Sequence, residues 1–228
     1  MLHGSIGNRY ANEELIMRST FVRSILAATA AVALSGGAFA ATIINGSFET
    51  GVPDPGAFAT LDAGSTNVDG WTVGGAGIDY IGSYWFAQDG VRSLDLSALG
   101  AGSVSQDLAT AIGGRYAVTF FMSGNPEGAP GLKTLIASAG AASQTFTIDA
   151  SAFSSPNIVW TPFTFNFTAT AATTTLTFTS GVDTAFGAAL DNVAITAVPE
   201  PASWGMLIAG LGLVGYAQRR RSRRSVAA

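Results

Sequence analysis

The residues able to do chemistry in this chain are almost all carboxylates and aromatic rings. Its only histidine is His3, and it has no cysteine among 228 residues. No Ser-His or Cys-His dyad can be assembled in the body of the chain, and a zinc site would need carboxylates alone, which is uncommon. Catalysis would have to use two carboxylates on a glycosidic bond, with Asp89 and Asp95 or Asp62 and Asp69 as pairs. In β-rich surface domains such residues more often cap turns and keep the surface soluble, so the chain reads as no enzyme. The densest aromatic patch is Tyr80, Tyr84, Trp85 and Phe86. Rings beside carboxylates and amides suit a saccharide, because its CH groups stack while its hydroxyls bond to polar groups. Tyr84, Trp85 and Asp89 are the carbohydrate-contact candidates. A tryptophan in a small sandwich is more often core than ligand platform, so Trp85 reads first as a core residue, whereas Tyr84, beside the Gly82-Ser83 turn, is the better exposed ring.

These residues sit in a segment, 41–197, that reads as short strands punctuated by Gly, Asn, Asp and Pro. Strand candidates are 42–44, 70–73, 78–81, 93–96, 103–108, 115–122, 133–137, 144–148, 160–167, 174–179 and 188–196. In 163–167 the residues Phe163, Phe165 and Phe167 share one face, with Thr164 and Asn166 on the other. The stretch 173–179 repeats that code, with Leu176 and Phe178 inward and threonines outward. One buried and one wet face per strand favours two packed antiparallel sheets, an all-β sandwich. Trp71 and Trp160 are expected in its core. Long Gly-rich loops are expected at 51–64, 74–77 and 124–131. Asn45-Gly46-Ser47 and Asn166-Phe167-Thr168 fit glycosylation sequons but read as turn and strand residues.

Residues just after a first strand and at the start of a last strand often meet at one rim of such a sandwich, which would bring Glu49 and Asp191 together. Two carboxylates that close repel unless a proton or cation lies between them. Calcium suits such a site, since it accepts about 6–8 oxygen ligands in flexible geometry. The alternative is that Glu49 is solvated and Asp191-Asn192 shapes the strand entry.

Charge divides the chain. Between Ala41 and Val198 the cations are Arg92, Arg115 and Lys133, against twelve carboxylates, a net of −9. Such a surface repels phosphate backbones and argues against nucleic-acid binding. The remaining basic residues flank two apolar runs. Residues 1–16 read as a misassigned start or a disordered stretch. From Met17, Arg18 and Arg23 lead into the apolar run 24–34 and the small-x-small site Ala38-Phe39-Ala40, a secretory signal over 17–40. At the other end, Val198-Pro199-Glu200-Pro201 precedes an apolar helix over about 202–217, then Arg219, Arg220, Arg221, Arg223 and Arg224. At ~1.5 Å per residue that helix reaches about 24 Å against ~30 Å of hydrocarbon, short but usable as a transmembrane span. Its arginines are expected to stay cytoplasmic.

The order of parts over 198–224 resembles the PEP-CTERM sorting signal of Gram-negative bacteria that make exopolysaccharide. That resemblance implies an exosortase-type membrane protease as partner, transient inner-membrane anchoring, cleavage near Pro199-Glu200-Pro201, and transfer to the cell surface or beyond. The set Asn45-Gly46-Ser47-Phe48-Glu49, Gly70-Trp71, 89–96, Ser105-Gln106, Gly114-Arg115-Tyr116, Gly124-Asn125, Trp160 and Leu190-Asp191-Asn192-Val193 resembles the choice-of-anchor C family and related plant cell-wall domains. More distantly it is similar to galactose-binding-type jelly rolls among carbohydrate-binding modules. Those modules often hold a structural calcium near the positions of Glu49 and Asp191. The combined expectation is an exported, noncatalytic, polysaccharide-associated protein. The rivals are a structural matrix protein without a ligand and, behind it, a carboxylate-dependent glycoside hydrolase.

Overall fold

The protein is described by a computed structural model, which covers residues 40–52 and 54–199 and, further on, 205, 208–216 and 219. Contacts divide the chain into a body, Ala38–Pro201, and a second unit made of residues 1–37 and 202–228.

In the body, alternating sequence becomes eleven strands: β1 (Phe58–Leu61), β2 (Thr72–Gly75), β3 (Ile78–Ile81), β4 (Ser93–Asp95), β5 (Gly102–Ala109), β6 (Arg115–Gly124), β7 (Leu132–Ala139), β8 (Ala142–Asp149), β9 (Thr161–Thr168), β10 (Thr173–Ser180) and β11 (Ala188–Val198). They form a six-stranded sheet, β1-β3-β4-β11-β6-β9, and a five-stranded sheet, β2-β5-β10-β7-β8. Every strand pairing between named strands is antiparallel. The inward residues follow from period two. Phe165 and Phe167 of β9, Leu176 and Phe178 of β10, and Tyr116, Val118, Phe120 and Met122 of β6 are buried in one shared core. Phe120 meets Phe146 and Phe178 edge to face at 5.1 Å each, the geometry that aligns ring edges with ring faces. The threonines of β10, Thr173, Thr175, Thr177 and Thr179, face out, as their alternation requires.

Two expectations are corrected. Residues 42–44 form no strand. They are held by a side chain instead: Ile44 N–H donates to Gln106 Oε1 at 2.8 Å, and Gln106 Nε2 donates to Ile44 O at 3.0 Å. Conversely, the expected loop at 51–64 contains β1. Its four residues carry little pattern of their own and owe their strand conformation to pairing with β3, Phe58 opposite Ile81 through Leu61 opposite Ile78. Trp71 is in the core as expected, its Nε1 donating to Asn45 O at 3.0 Å. Trp160 is only half-buried and lies in a small separate cluster.

In the second unit, the described residues Gly205, 208–216 and Arg219 are helical. Among the described residues no helix is long and apolar enough to cross a membrane. The expected signal at 17–40 apart from Ala40, the complete span over 202–217, and Glu200, Pro201, Arg220, Arg221, Arg223 and Arg224 lie outside the described residues. Val198 closes β11, opposite Arg115.

Candidate functional site

The loop joining β3 to β4, residues 82–92, lies over one end of the outer face of the six-stranded sheet. It is fastened there by two carboxylates. Asp191 Oδ2 accepts the backbone N–H groups of Gln88 at 2.7 Å and Asp89 at 3.0 Å. Glu49 Oε1 accepts those of Val91 at 2.9 Å and Arg92 at 2.8 Å. Between the two pairs stands Gly90 at φ 69°, where a Cβ would run into the Glu49 carboxyl group. The expected meeting of the two chain ends at one rim is real: Val193 N–H donates to Gly46 O at 2.8 Å. The same junction holds positive φ at Asn45, Phe48 and Asn192, three positions without glycine's freedom. Asn45 uses its amide inside this turn, donating to Thr50 O and Asp69 O, which makes its sequon a turn device.

Glu49 and Asp191 therefore converge on one loop, from opposite sides of Gly90. Each already has N–H donors around one oxygen, and Asp191 Oδ1 accepts a further bond from Asn192 N–H at 2.6 Å. Among the described residues no group of three or more His, Cys, Asp or Glu side chains could hold a metal ion. Any cation between the pair would depend on Glu49 Oε2 and backbone carbonyls.

The clamp sets the direction of each ring. Trp85 points inward, 1% exposed, its Nε1 donating to Ser93 Oγ at 2.9 Å and its ring packed with Ile81, Ile158 and Ala189. The core reading of Trp85 is the right one, and its place among the saccharide contacts is withdrawn. Phe86, its neighbour, points outward and is 64% exposed. Sequence reasoning had named Phe86 only as part of the patch. Both residues lie in the irregular β3–β4 loop, where no strand period sets their directions. Its backbone is held from below, Phe86 N–H donating to Pro156 O and Phe86 O accepting from Trp160 Nε1, both at 3.0 Å. Tyr84 is half-buried, packed at 5.5 Å against Trp85 on one side and edge-on to Phe58 on the other. Phe58 was not foreseen, yet it is 47% exposed. Asp89 is exposed on the clamped loop. Phe58 and Tyr84 thus meet ring to ring, Phe86 stands exposed two residues beyond Tyr84, and Asp89 follows on the same loop; these three rings form the aromatic set termed the shelf.

Beneath the loop, one row across the outer face runs from exposed Thr60 to buried Asp95 and Ser123. The register aligns Thr60, Asp79, Asp95, Ala189 and Ser123 across five strands. The carboxylate that faces Asp95 is thus Asp79, not Asp89, and Asp95 is 1% exposed. Asp95 accepts from Ser97 N–H, Gly187 N–H and Asn125 Nδ2 at 3.0, 3.2 and 2.8 Å. Substrate has no access to a residue so covered. Asp62 and Asp69 stand exposed on separate turns, closed by Ser65 N–H to Asp62 O and Asp69 N–H to Thr50 O. Lys133, on β7, is fully buried, with Nζ donating to Gly128 O and Phe186 O at 2.7 Å each.

The body is an all-β sandwich that exposes Phe58 on β1 and Phe86 on the β3–β4 loop. Residues 41–196 match the family described as a protein of unknown function, DUF642. The chain belongs to that family. Residues 197–222 match the PEP-CTERM protein-sorting motif, which confirms the expected C-terminal signal. The chain is 38% identical over 165 residues to halomucin of Haloquadratum walsbyi (strain DSM 16790 / HBSQ001), covering 69% of this chain but 2% of that protein's length. Similar solved structures include TmCBM61 in complex with β-1,4-galactotriose, at 12% identity, 69% coverage of this chain and 99% of that one, with a TM-score of 0.42. Another is the arabinose-bound MgGH51 α-L-arabinofuranosidase, at 13% identity, 72% coverage of this chain and 27% of that one, with a TM-score of 0.45.

The buried carboxylates give the fold a pH signature. Burial pushes Asp95 up to about 7, against the pull of Asn125, with the Asp79 charge adding to the rise. Burial likewise pushes Asp191 up to about 7, against the N–H groups of Asp89, Gln88 and Asn192. A carboxyl whose folded pKa lies above its unfolded value binds more protons when folded, so stability falls as pH rises between the two. The urea midpoint is expected to drop from about pH 4 to about pH 7 and to level off above, with a shallower drop in Asp95→Asn. A midpoint that rises over that window contradicts this assignment.

Proposed function

We propose that this is an exported, noncatalytic surface protein that binds polysaccharide through the shelf of Phe58, Tyr84 and Phe86. The observation carrying the reading is Phe86, a large apolar ring held 64% exposed on a loop whose backbone is bonded on all sides. Exposed aromatic rings on fixed backbone are what stacking against sugar CH groups requires, and Asp89 stands on the same loop to take hydroxyls. What supports this reading over a ligand-free matrix protein is the ring contact of Phe58 with Tyr84 beside the fixed Phe86, since single exposed apolar residues such as Leu99 and Ile112 occur elsewhere on the body.

Affinity electrophoresis on polysaccharide gels tests it. Phe86→Ala is expected to abolish retardation while changing stability by no more than about 0.5 kcal/mol. Trp85→Ala is expected to cost about 3–5 kcal/mol through the cavity it leaves. Retardation that survives in both Phe86→Ala and Tyr84→Ala removes the shelf as the site. A reducing sugar released from any gel substrate would restore the hydrolase reading.

The sorting motif supports the second half of the proposal. An exosortase-type membrane protease would take the chain while the apolar segment after Pro201 rests in the inner membrane, and would pass it to the cell surface or the extracellular matrix of a Gram-negative cell. The finer name, choice-of-anchor C, rests on the short motifs quoted above. Mass spectrometry of the exported protein should find a start at Ala41 and an end near Pro199-Glu200-Pro201; a product still carrying Arg219 to Arg224 counts against processing.

Structural calcium at Glu49 and Asp191 is part of the same proposal. Calcium at a hundred times its dissociation constant would add about 2.7 kcal/mol to stability if it binds only the folded state. Melting temperatures that coincide in calcium and in EDTA rule it out, and the N–H pairs that already face both carboxylates make this a sharp test.

A further inference from the structure

A saccharide site is selective by its charges as well as its rings, and here the charges are one-sided. The body contains three cations, and none of them is offered to a ligand at the shelf. Lys133 is fully buried with its ammonium on two loop carbonyls. Arg92 lies on the clamped loop itself, but its guanidinium is bound to Asp54 at 3.0 Å and sits 5.9 Å over the Tyr80 ring. Arg115 opens β6, whose other end, Ser123-Gly124, pairs with Ala189-Ala188 beneath the loop, so the strand's ten residues lie between. At ~3.3 Å per residue that is roughly 30 Å, several Debye lengths at physiological salt.

The other device for capturing an anion is a set of consecutive backbone N–H groups, and the loop possesses one. It is already filled. The N–H groups of Gln88 and Asp89 are taken by Asp191, and those of Val91 and Arg92 by Glu49. The protein's own carboxylates occupy the positions at which a uronate or a sulfate ester would bind. What remains facing solvent around the rings is negative: Glu49, Asp89 and Glu127 are exposed, and the Glu127 charge is felt at the Tyr84 hydroxyl, whose pKa is raised first by burial and then by that charge.

Resting on the saccharide reading above, we propose that the shelf of Phe58, Tyr84 and Phe86 selects uncharged polysaccharide and excludes polyuronates and sulfated chains. Ring stacking supplies attraction that does not depend on the sign of the ligand. The surrounding carboxylates supply the discrimination by repelling anionic chains.

The test is affinity electrophoresis of the full-length protein in gels cast with a neutral β-glucan, a neutral galactan or polygalacturonate, from about 0.01 M to about 1 M salt, across which the Debye length falls from ~30 to ~3 Å. Retardation is expected in at least one neutral gel, with little change across the salt range, and none in polygalacturonate at low salt. An Asp89→Lys, Glu127→Lys variant, altered only at exposed positions, is expected to gain about tenfold in retention on polygalacturonate at low salt and to lose that gain at high salt. Stronger retardation of the parent by polygalacturonate than by the neutral chains overturns the selectivity and leaves saccharide binding standing. A charge-reversed variant that gains nothing on polygalacturonate overturns the electrostatic basis. No retardation of the parent in any gel overturns the selectivity together with the reading on which it rests.

Discussion

The loop over residues 82–92 depends on four backbone N–H groups being given to two carboxylates. A surface loop of this length has few packing contacts of its own and loses order readily. Hydrogen bonds to charged groups contribute about 1.5–3 kcal/mol each, more than neutral ones, and here they come in pairs on single oxygens. Against them stands the desolvation of Asp191, which is fully buried, a penalty of several kcal/mol for a carboxylate. Glu49 is exposed and avoids that penalty. The clamp thus joins one strong but expensive anchor with one cheaper anchor, and the loop they fix drives Trp85 down into Ile81, Ile158 and Ala189 while Phe86 stands up. Rings ordered before a ligand arrives lose less entropy on binding, which is how a structural constraint becomes a functional one.

A second buried node lies under the same end of the sheet. Asp95 holds the loop after β6 through Asn125 and the loop before β11 through Gly187. Lys133 holds the same two loops through Gly128 O and Phe186 O. An anion and a cation therefore cross-brace one pair of loops, each by way of polar groups rather than by direct contact with the other. Burial lowers the Lys133 pKa and the nearby Asp95 charge raises it back, while Asp95 is moved by burial in the opposite sense. Two isolated buried charges would each be costly; placed beside each other among donors and carbonyls, they offset one another's field.

Much of this was legible in the sequence where a pattern is repeated. The alternation in 163–167 and 173–179 fixed which phenylalanines and leucines face inward, because a strand has no other period to adopt. That the segments carrying Glu49 and Asp191 lie at one rim also followed from chain topology, as the Val193 N–H to Gly46 O bond shows. Their task did not, since nothing local to either residue says that backbone N–H groups 42 and 103 positions away will arrive as their partners. β1 was hidden because its four residues become a strand only through β3. Residues 42–44 had strand-like composition yet found a glutamine amide in place of a neighbouring strand. Burial of Lys133 depends on carbonyls of two loops, Gly128 O and Phe186 O, which no pattern within β7 announces. Phe86 lies in an irregular loop, so its outward direction comes from the bonds of its backbone to Pro156 and Trp160 and from no local period.

β11 connects the two halves of the proposed function in one strand. Near its start, Asp191 follows Ala189 onto the outer face by strand alternation, just before a break in register between Asp191 and Ala194, and its carboxylate holds the loop there. Farther on, regular pairing resumes, Ala194 opposite Thr119 through to Val198 opposite Arg115. The sorting motif begins at residue 197, inside the paired end of this strand. A cut at or beyond Pro199 therefore removes no residue of β11 and leaves its pairing with β6 complete, so the clamp on the loop is the same before and after release. A cut within 194–198 would instead strip part of a central strand whose inner residues Ile195 and Ala197 pack against the core. A motif that starts at the end of β11 would, on the proposed reading, let the chain be anchored for sorting and still keep its clamped loop if it were cut there.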